Sequence, residues 1–272
     1  MTPRKDIVRD SVLTLDEGVA TLTLNRDDVR NALTGTALID DIVRTAEWAN
    51  QTDAVSVLII TGAGSAFSAG GNIKEMETRS GDFAGDVPEV EARYRRGIQQ
   101  IPLAMDRINV PTIAAVNGPA IGAGFDLSCM CDFRIGSTKA LFGETFVNLG
   151  IIPGDGGAWF LQRVVDYQKA MELALTGRLV SADEAKDIGL LLDLVEPEDL
   201  LSTAHKLARQ IASKPPQASR YTKRLYKSAQ RMELADFLDF CALVQGVCHN
   251  TDDHLQAVNN FLTKSQTNYT GR

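Results

Sequence analysis

The chain has 272 residues, 44% of them hydrophobic and 23% charged, enough for one large domain or a domain with an appendage. Its net charge of −7 argues against nucleic acid or an anionic membrane surface as the main partner. No apolar run approaches the ~20 residues that span a bilayer, and Met1-Thr2-Pro3-Arg4-Lys5-Asp6 lacks a secretory h-region. A cytoplasmic location is therefore expected. The cysteines, Cys129, Cys131, Cys241 and Cys248, form no Cys-x-x-Cys pair and have no histidine at zinc spacing, so buried free thiols and no metal are expected.

Val12 to Leu15 and Val19 to Leu24 alternate apolar residues with Thr around Glu17-Gly18, the pattern of a β-hairpin. Leu38, Ile39, Ile42, Val43 and Ala46 lie at helical spacing and predict an amphipathic helix from about Thr36 to Asn50. Val55 to Ile60 reads as a buried strand that exits into a small-residue loop from Thr61 to Asn72. Gly62 and Gly64 open that loop like a dinucleotide fingerprint, but Phe67 occupies the third glycine position, which disfavours that use. Residues Thr78 to Pro88 are polar and read as a mobile flap. A helix from about Glu89 to Arg107 follows, with Pro102 expected to kink or split it.

Thr112 to Val116 is a second buried strand, followed by Asn117-Gly118-Pro119-Ala120-Ile121-Gly122-Ala123-Gly124 and an apolar helix beginning at Phe125-Asp126. A second Gly-rich turn, Ile152-Pro153-Gly154-Asp155-Gly156-Gly157, precedes short helices over Ala158 to Val164 and Gln168 to Leu175. Small residues let a backbone approach a ligand and leave its N–H groups uncovered, and a helix start adds partial positive charge. This stretch is suited to holding a developing negative charge beside the carboxyls of Asp126 and Asp155. Ser181 and Glu184 form a capping box, Gly189 ends that helix, and Leu190 to Val195 reads as a strand. Beyond Pro197 the chain reads as helix, over roughly Leu200 to Ala212, Gln217 to Met232, Leu234 to Cys248 and Asp252 to Thr263. Phe237, Leu238, Cys241, Leu243, Val244 and Val247 give the third of these a broad apolar surface, as for a subunit contact.

Several of these motifs, in this order, resemble the crotonase superfamily, the enoyl-CoA hydratase/isomerase family. The resembling segments are Asn25-Arg26 through Asn31-Ala32-Leu33, Phe67-Ser68-Ala69-Gly70-Gly71-Asn72-Ile73, Pro111 through Gly118, and Ala174 to Leu190. The resemblance implies an α/β fold: a spiral of ββα repeats, here residues 1–197, and a C-terminal α-helical trimerisation region, here 198–272. It also implies a homotrimer or dimer of trimers, and an acyl-CoA thioester substrate with no separate cofactor. By position, the N–H groups of Gly71 and Ala123 would form an oxyanion hole for the thioester enolate. Backbone groups of Ala69 and Gly70, beside Asn72, would meet adenine, and Phe261 and Lys264 the CoA, from a neighbouring subunit. Arg30 is a candidate for the phosphates, because an Arg fork matches phosphate oxygens, with a solvated loop cation as its alternative.

The chain departs from the hydratase pattern at two positions. Asp126 stands where the family places one catalytic Glu, and Phe146 where it places the other. Phenylalanine cannot move a proton, whereas hydration needs a base for water and an acid for Cα. Asp155 is a candidate to compensate, with helix capping as its alternative, and capping is the alternative for Asp126 too. Glu144 is another candidate, sharing a face with Phe146 if that piece is extended. The expected activity is enoyl-CoA hydration, with Asp126 as principal acid/base assisted by Asp155. Isomerisation, another reaction of this scaffold and a non-catalytic acyl-CoA binder are the alternatives. Residues 76–105 and the terminal helices are expected to wall the acyl pocket.

Overall fold

The computed structural model describes residues 7–265 and 269–271. The hairpin of β1 (Ser11–Asp16) and β2 (Val19–Leu24) is antiparallel, with Asp16 opposite Val19. Glu17 and Gly18 between them sit at φ 46° and 80°, the twist a two-residue hairpin requires. β2 continues into parallel pairing with β3 (Val57–Gly62), then β4 (Thr112–Val116), leaving β5 (Pro119–Ile121) for a second sheet. β6 (Phe133–Ser137) returns to the large sheet, β7 (Leu141–Gly143) and β8 (Leu179–Ser181) join β5, and β9 (Asp193–Val195) closes the large sheet. The orders are β1-β2-β3-β4-β6-β9 and β5-β7-β8. Isolated parallel bridges, Ala32 to Gly70 and Ser68 to Ala120, extend the small layer back toward the start of the chain. Each passage therefore leaves the large sheet, crosses to the small one and returns through a helix. This is the expected spiral of ββα repeats.

The helices are α1 (Leu38–Gln51), α2 (Ile73–Thr78), α3 (Val87–Arg96), α4 (Gln100–Arg107), α5 (Ala123–Cys129), α6 (Gly157–Val164), α7 (Tyr167–Thr176), α8 (Ala182–Asp187), α9 (Leu200–Ala212), α10 (Pro216–Ala229), α11 (Leu234–His249) and α12 (Asp252–Thr263). Both faces of the large sheet are buried, so its strands read as continuous apolar runs. Leu22, Leu58, Ile60, Ala114 and Val116 face the spiral interior. Val19, Val57, Ile59, Ile113 and Ile135 face outward onto Leu200, Ala204 and Ala208 of α9. Each fully buried aliphatic side chain of this kind contributes about 1.5–3 kcal/mol. The first helix beyond Pro197 thus shares a core with the sheet.

α10 is fastened by its cations. Arg220 donates to the carbonyls of Ala49, Asn50, Thr52 and Val55 at the end of α1. Lys227 donates to those of Met105 and Asp106 at the end of α4, completing helix termini that carry unpaired carbonyls and partial negative charge. Lys223, buried, reaches Asp132 at 2.6 Å and the Val110 carbonyl. α11 and α12 carry large exposed apolar side chains: Leu234, Leu238, Leu243, Leu255, Phe261 and Leu262. No helix among the described residues is long and apolar enough to cross a membrane.

Some expectations are corrected. The helix predicted over Glu89 to Arg107 breaks at Gly97, not at Pro102. Pro102 lies in the first turn of α4, where a missing N–H removes no intrahelical bond. The segment Thr78 to Pro88 is not one loose flap. It holds the end of α2, a 3-10 turn at Gly81–Phe83 and the start of α3 under an Asp86–Glu89 capping box. It is tied down twice, by Arg93 donating to the Gly81 and Ala84 carbonyls and by Asp82 accepting from the Gly35 N–H. The last strand covers only Asp193–Val195 of the predicted Leu190 to Val195.

Candidate active site

Two loops meet where glycine permits it. The loop after β3 carries Ala69-Gly70-Gly71, and the turn after β5 opens α5 at Ala123. Gly70 sits at φ 76°, and a Cβ there would lie 2.4 Å from the Ile121 carbonyl oxygen and 3.0 Å from the Ala123 nitrogen. A Cβ on Gly124 would lie 2.2 Å from the Ser68 carbonyl oxygen. Only side-chain-free residues allow this approach. As a result Gly71 and Ala123 line one cavity of about 40 Å³. Neither amide donates a hydrogen bond to another described residue. Ala123 is the first residue of α5, where a helix leaves its N–H groups unpaired.

The remaining wall is mostly apolar: Met76, Phe83, Tyr94, Ile98, Phe146 and Ile151, with Thr34 and Gly154. Its acidic and basic members are Asp82, Arg93 and Asp155, beside the Tyr94 hydroxyl. Met76 of α2, Asp82 and Phe83 of the 3-10 turn, Arg93 and Tyr94 of α3 and Ile98 supply the walls expected from residues 76–105, whereas no residue of the terminal helices lines this cavity within the chain.

Behind the cavity lie three carboxyls: Asp126 at 0% exposure, Glu144 at 1% and Asp155 at 3%. Apart from one another and the turn amides of Asp155 and Gly157, none of their oxygens has a hydrogen-bond partner among the described residues. The Asp126 carboxyl presses on Gly157, where a Cβ would lie 2.3 Å from both oxygens. Asp155 faces the cavity, while Asp126 and Glu144 are not part of its wall. Burial pushes Asp126 well above the ordinary carboxyl range, and the charges of Asp155 and Glu144 and hydrogen bonds with both add to this. Burial also raises Asp155, against a hydrogen bond from Asp126 and the N–H groups of Asp155 and Gly157. Glu144 is pushed by burial to about 7, opposed by a hydrogen bond from Asp126. Burial, then the Asp155 charge, raises the Tyr94 hydroxyl.

The capping alternatives do not describe these residues. Gly122 and Gly156 occupy the N-cap positions of α5 and α6, and neither helix takes a side-chain cap. Glu144 and Phe146 do not share a face, because Thr145–Leu149 is a 3-10 turn and not an extended piece. Glu144 turns in to the carboxyls, and the Phe146 ring stands 3.6 Å from where a Gly122 Cβ would be, over the mouth of α5.

The buried Glu144 has a stability consequence. Its folded-state pKa lies above its ordinary 4.5, at about 7. The proton is held more tightly in the folded chain, so this stability is full below the unfolded value and is lost as pH rises through about 7. At ~1.4 kcal/mol per pKa unit the loss is on the order of 3 kcal/mol. Glu144→Gln cannot ionise. Denaturant unfolding at several pH values is expected to show the variant gaining on the wild type by about that amount across this window; a constant difference would refute it.

The other sequence candidates are less concentrated. Arg30 is exposed at φ 52°, on the loop whose carbonyl accepts from the Ala69 N–H. The Gly70 N–H is taken by Ser68 Oγ. Asn72 caps α2, accepting from the Lys74 N–H and donating to Glu75. Phe261 is 85% exposed and Lys264 caps the end of α12; neither lines the cavity within this chain. No group of three or more His, Cys, Asp or Glu suited to a metal occurs among the described residues.

The family model described as enoyl-CoA hydratase/isomerase matches residues 14–272. The chain belongs to the enoyl-CoA hydratase/isomerase family, within the crotonase superfamily. It is 36% identical to a crotonyl-CoA hydratase of Syntrophomonas wolfei, over 95% of this chain and 96% of that one. It is 32% identical to a 1,2-epoxyphenylacetyl-CoA isomerase of Escherichia coli, over 95% and 97%. A crystal structure of an enoyl-CoA hydratase from Bacillus anthracis superposes with a TM-score of 0.89 at 32% identity, covering 97% of this chain and 100% of that one. The chain is thus an enzyme of the crotonase lyase/isomerase group.

Proposed function

We propose that the protein hydrates 2-enoyl-CoA thioesters through an oxyanion-stabilised enolate. The observation that carries this is the convergence of two unpaired amides, Gly71 and Ala123, and one buried carboxyl, Asp155, on a single cavity. The thioester oxygen accepts from both N–H groups. Water adds to Cβ as its proton passes to Asp155, the π electrons move onto the thioester oxygen, and Asp155 then returns that proton to Cα as the enolate collapses to the thioester. Each amide donor is typically worth ~3–4 kcal/mol in the transition state.

Asp155, at the wall, takes the role of proton carrier, and Asp126, behind it, supports its charge. That order reverses the expectation from position alone. Arg30, Ala69, Gly70 and Asn72 lie on the loops that would carry the CoA. The exposed apolar faces of α11 and α12 suit a homotrimer or a dimer of trimers, in which Phe261 and Lys264 would reach a neighbour's CoA.

Isomerisation is a second reading, favoured by one observation: Phe146 and the apolar wall leave Asp155 as the single buried carboxylate facing the cavity, Asp82 being exposed. One carboxylate can lift a proton from one carbon and return it to another. Purified protein incubated with crotonyl-CoA and with a 3-enoyl-CoA, followed at the conjugated thioester absorbance, separates the two. Loss of signal from crotonyl-CoA is the expected result. A gain from the 3-enoyl-CoA alone supports isomerisation, and no change with either sinks both readings.

A further inference from the structure

Tyr94, Ile151 and Gly154 line the cavity that holds Gly71, Ala123 and Asp155, and the same three residues line a larger surface pocket of about 550 Å³. They stand as a partition between the two. None of the residues on the loops that would carry CoA, Arg30, Ala69, Gly70 and Asn72, lines the outer pocket. The partition therefore meets the acyl end of a substrate, not its CoA end.

The Tyr94 ring is the bulk of this wall, and it is held from several directions. Gly154 contributes no side chain, and a Cβ there would lie 3.2 Å from Tyr94 Cε1, so the ring packs directly against the Gly154 backbone. The ring also meets Phe83 edge-on, with centroids 6.5 Å apart and planes at 67°. The turn that carries Phe83 is itself tied by Arg93 through the carbonyls of Gly81 and Ala84. Gln99 fastens both parts of the partition: its backbone N–H donates to the Tyr94 carbonyl, and its side-chain Nε2 donates to the Gly154 carbonyl at 2.8 Å. The ring is a fixed stop and not a loose flap.

The space in front of the stop is small. A cavity of about 40 Å³, where one water needs roughly 10–15 Å³, takes about three or four groups of that size. The thioester carbonyl and the carbons as far as Cγ fill it, and the next methylenes of a longer chain collide with Tyr94. We propose that Tyr94 is a specificity-determining residue that confines the enzyme to short-chain enoyl-CoAs. This rests on the reading of the cavity as an acyl-thioester site. Beyond the ring, Ile151 and the exposed Ile152 give the outer pocket apolar surface, and Glu91, Arg95 and Gln99 give it a polar part. Removing the ring joins the two volumes and gives a longer chain somewhere to go.

The test compares kcat/KM for crotonyl-CoA and 2-octenoyl-CoA. The wild type is expected to favour crotonyl-CoA by at least ~10-fold, since even one methylene in a fitted apolar site is worth that much. Tyr94→Ala is expected to raise the octenoyl-to-crotonyl ratio by at least ~10-fold, while Tyr94→Phe, which keeps the ring, retains the wild-type ratio. A merely structural Tyr94 would lower both rates together and leave the ratio unmoved, and that result overturns the proposal. So does a wild type that turns over 2-octenoyl-CoA as well as crotonyl-CoA, a result that needs no variant to fold. Calorimetric titration with butyryl-CoA and octanoyl-CoA reads the same preference without chemistry. The wild type is expected to bind butyryl-CoA more tightly and Tyr94→Ala to lose that preference; equal binding of both by the wild type overturns the proposal. A butyryl-CoA preference lost in Tyr94→Ala, together with no turnover of any enoyl-CoA, supports the Tyr94 assignment and marks failure of the hydration reading instead.

Discussion

Asp155→Asn is expected to lower kcat for enoyl-CoA turnover by about 10²–10⁴-fold, the usual worth of a positioned acid/base, with KM changed only a few-fold. The amide preserves the shape of the cavity wall and can still accept from Asp126, so binding is retained while proton transfer is lost. Asp155 is singled out because it alone of the three buried carboxyls lines the cavity. Asp126→Asn acts one residue further back and is expected to cost less than Asp155→Asn. Steady-state kinetics on both variants checks the order. A larger loss at Asp126 would return the principal role to that residue.

Ala123→Pro tests the other half of the site. Ala123 is the first residue of α5, a position where proline is tolerated because the N–H has no intrahelical partner to lose. The substitution removes one amide donor, which typically costs about 10²–10³ in kcat. The ring also occupies space in front of the lost N–H, so KM is expected to rise as well. Ala123→Gly keeps the donor and is the control, expected to stay near the wild-type rate. Circular dichroism and thermal unfolding establish that both variants fold. A proline variant as active as the glycine control would remove Ala123 from the oxyanion hole and with it the thioester reading.

Legibility in the sequence followed how local the cause is. The hairpin at Glu17-Gly18, the buried strand over Thr112 and the Ser181 cap each depend on a few neighbouring residues, and each stands where the pattern places it; the strand predicted over Val55 to Ile60 lies two residues later, and Glu184 completes no capping box because its carboxylate pairs with Arg178. The short strands of the small sheet were missed. β5 and β7 span three residues each and are held by parallel pairing with each other, too little apolar periodicity to separate them from loop. Glu144 was misjudged for a related reason. Its role turns on whether residues 145–149 are extended or a 3-10 turn, which its own neighbours do not settle.

The two Gly-rich loops are written in the residues themselves, in spacing and in the absence of side chains, properties that need no partner to be visible. The spiral architecture and the loss of a glutamate at Phe146 were legible only through the ordered motifs shared with a family. Which carboxyl meets the cavity, and that Asp126, Glu144 and Asp155 form one cluster, depended on three separate passages of the chain converging. Burial and charge coupling are properties of what lies across the fold. For that reason they set the ionisation of these groups while leaving no trace in the local pattern around any one of them.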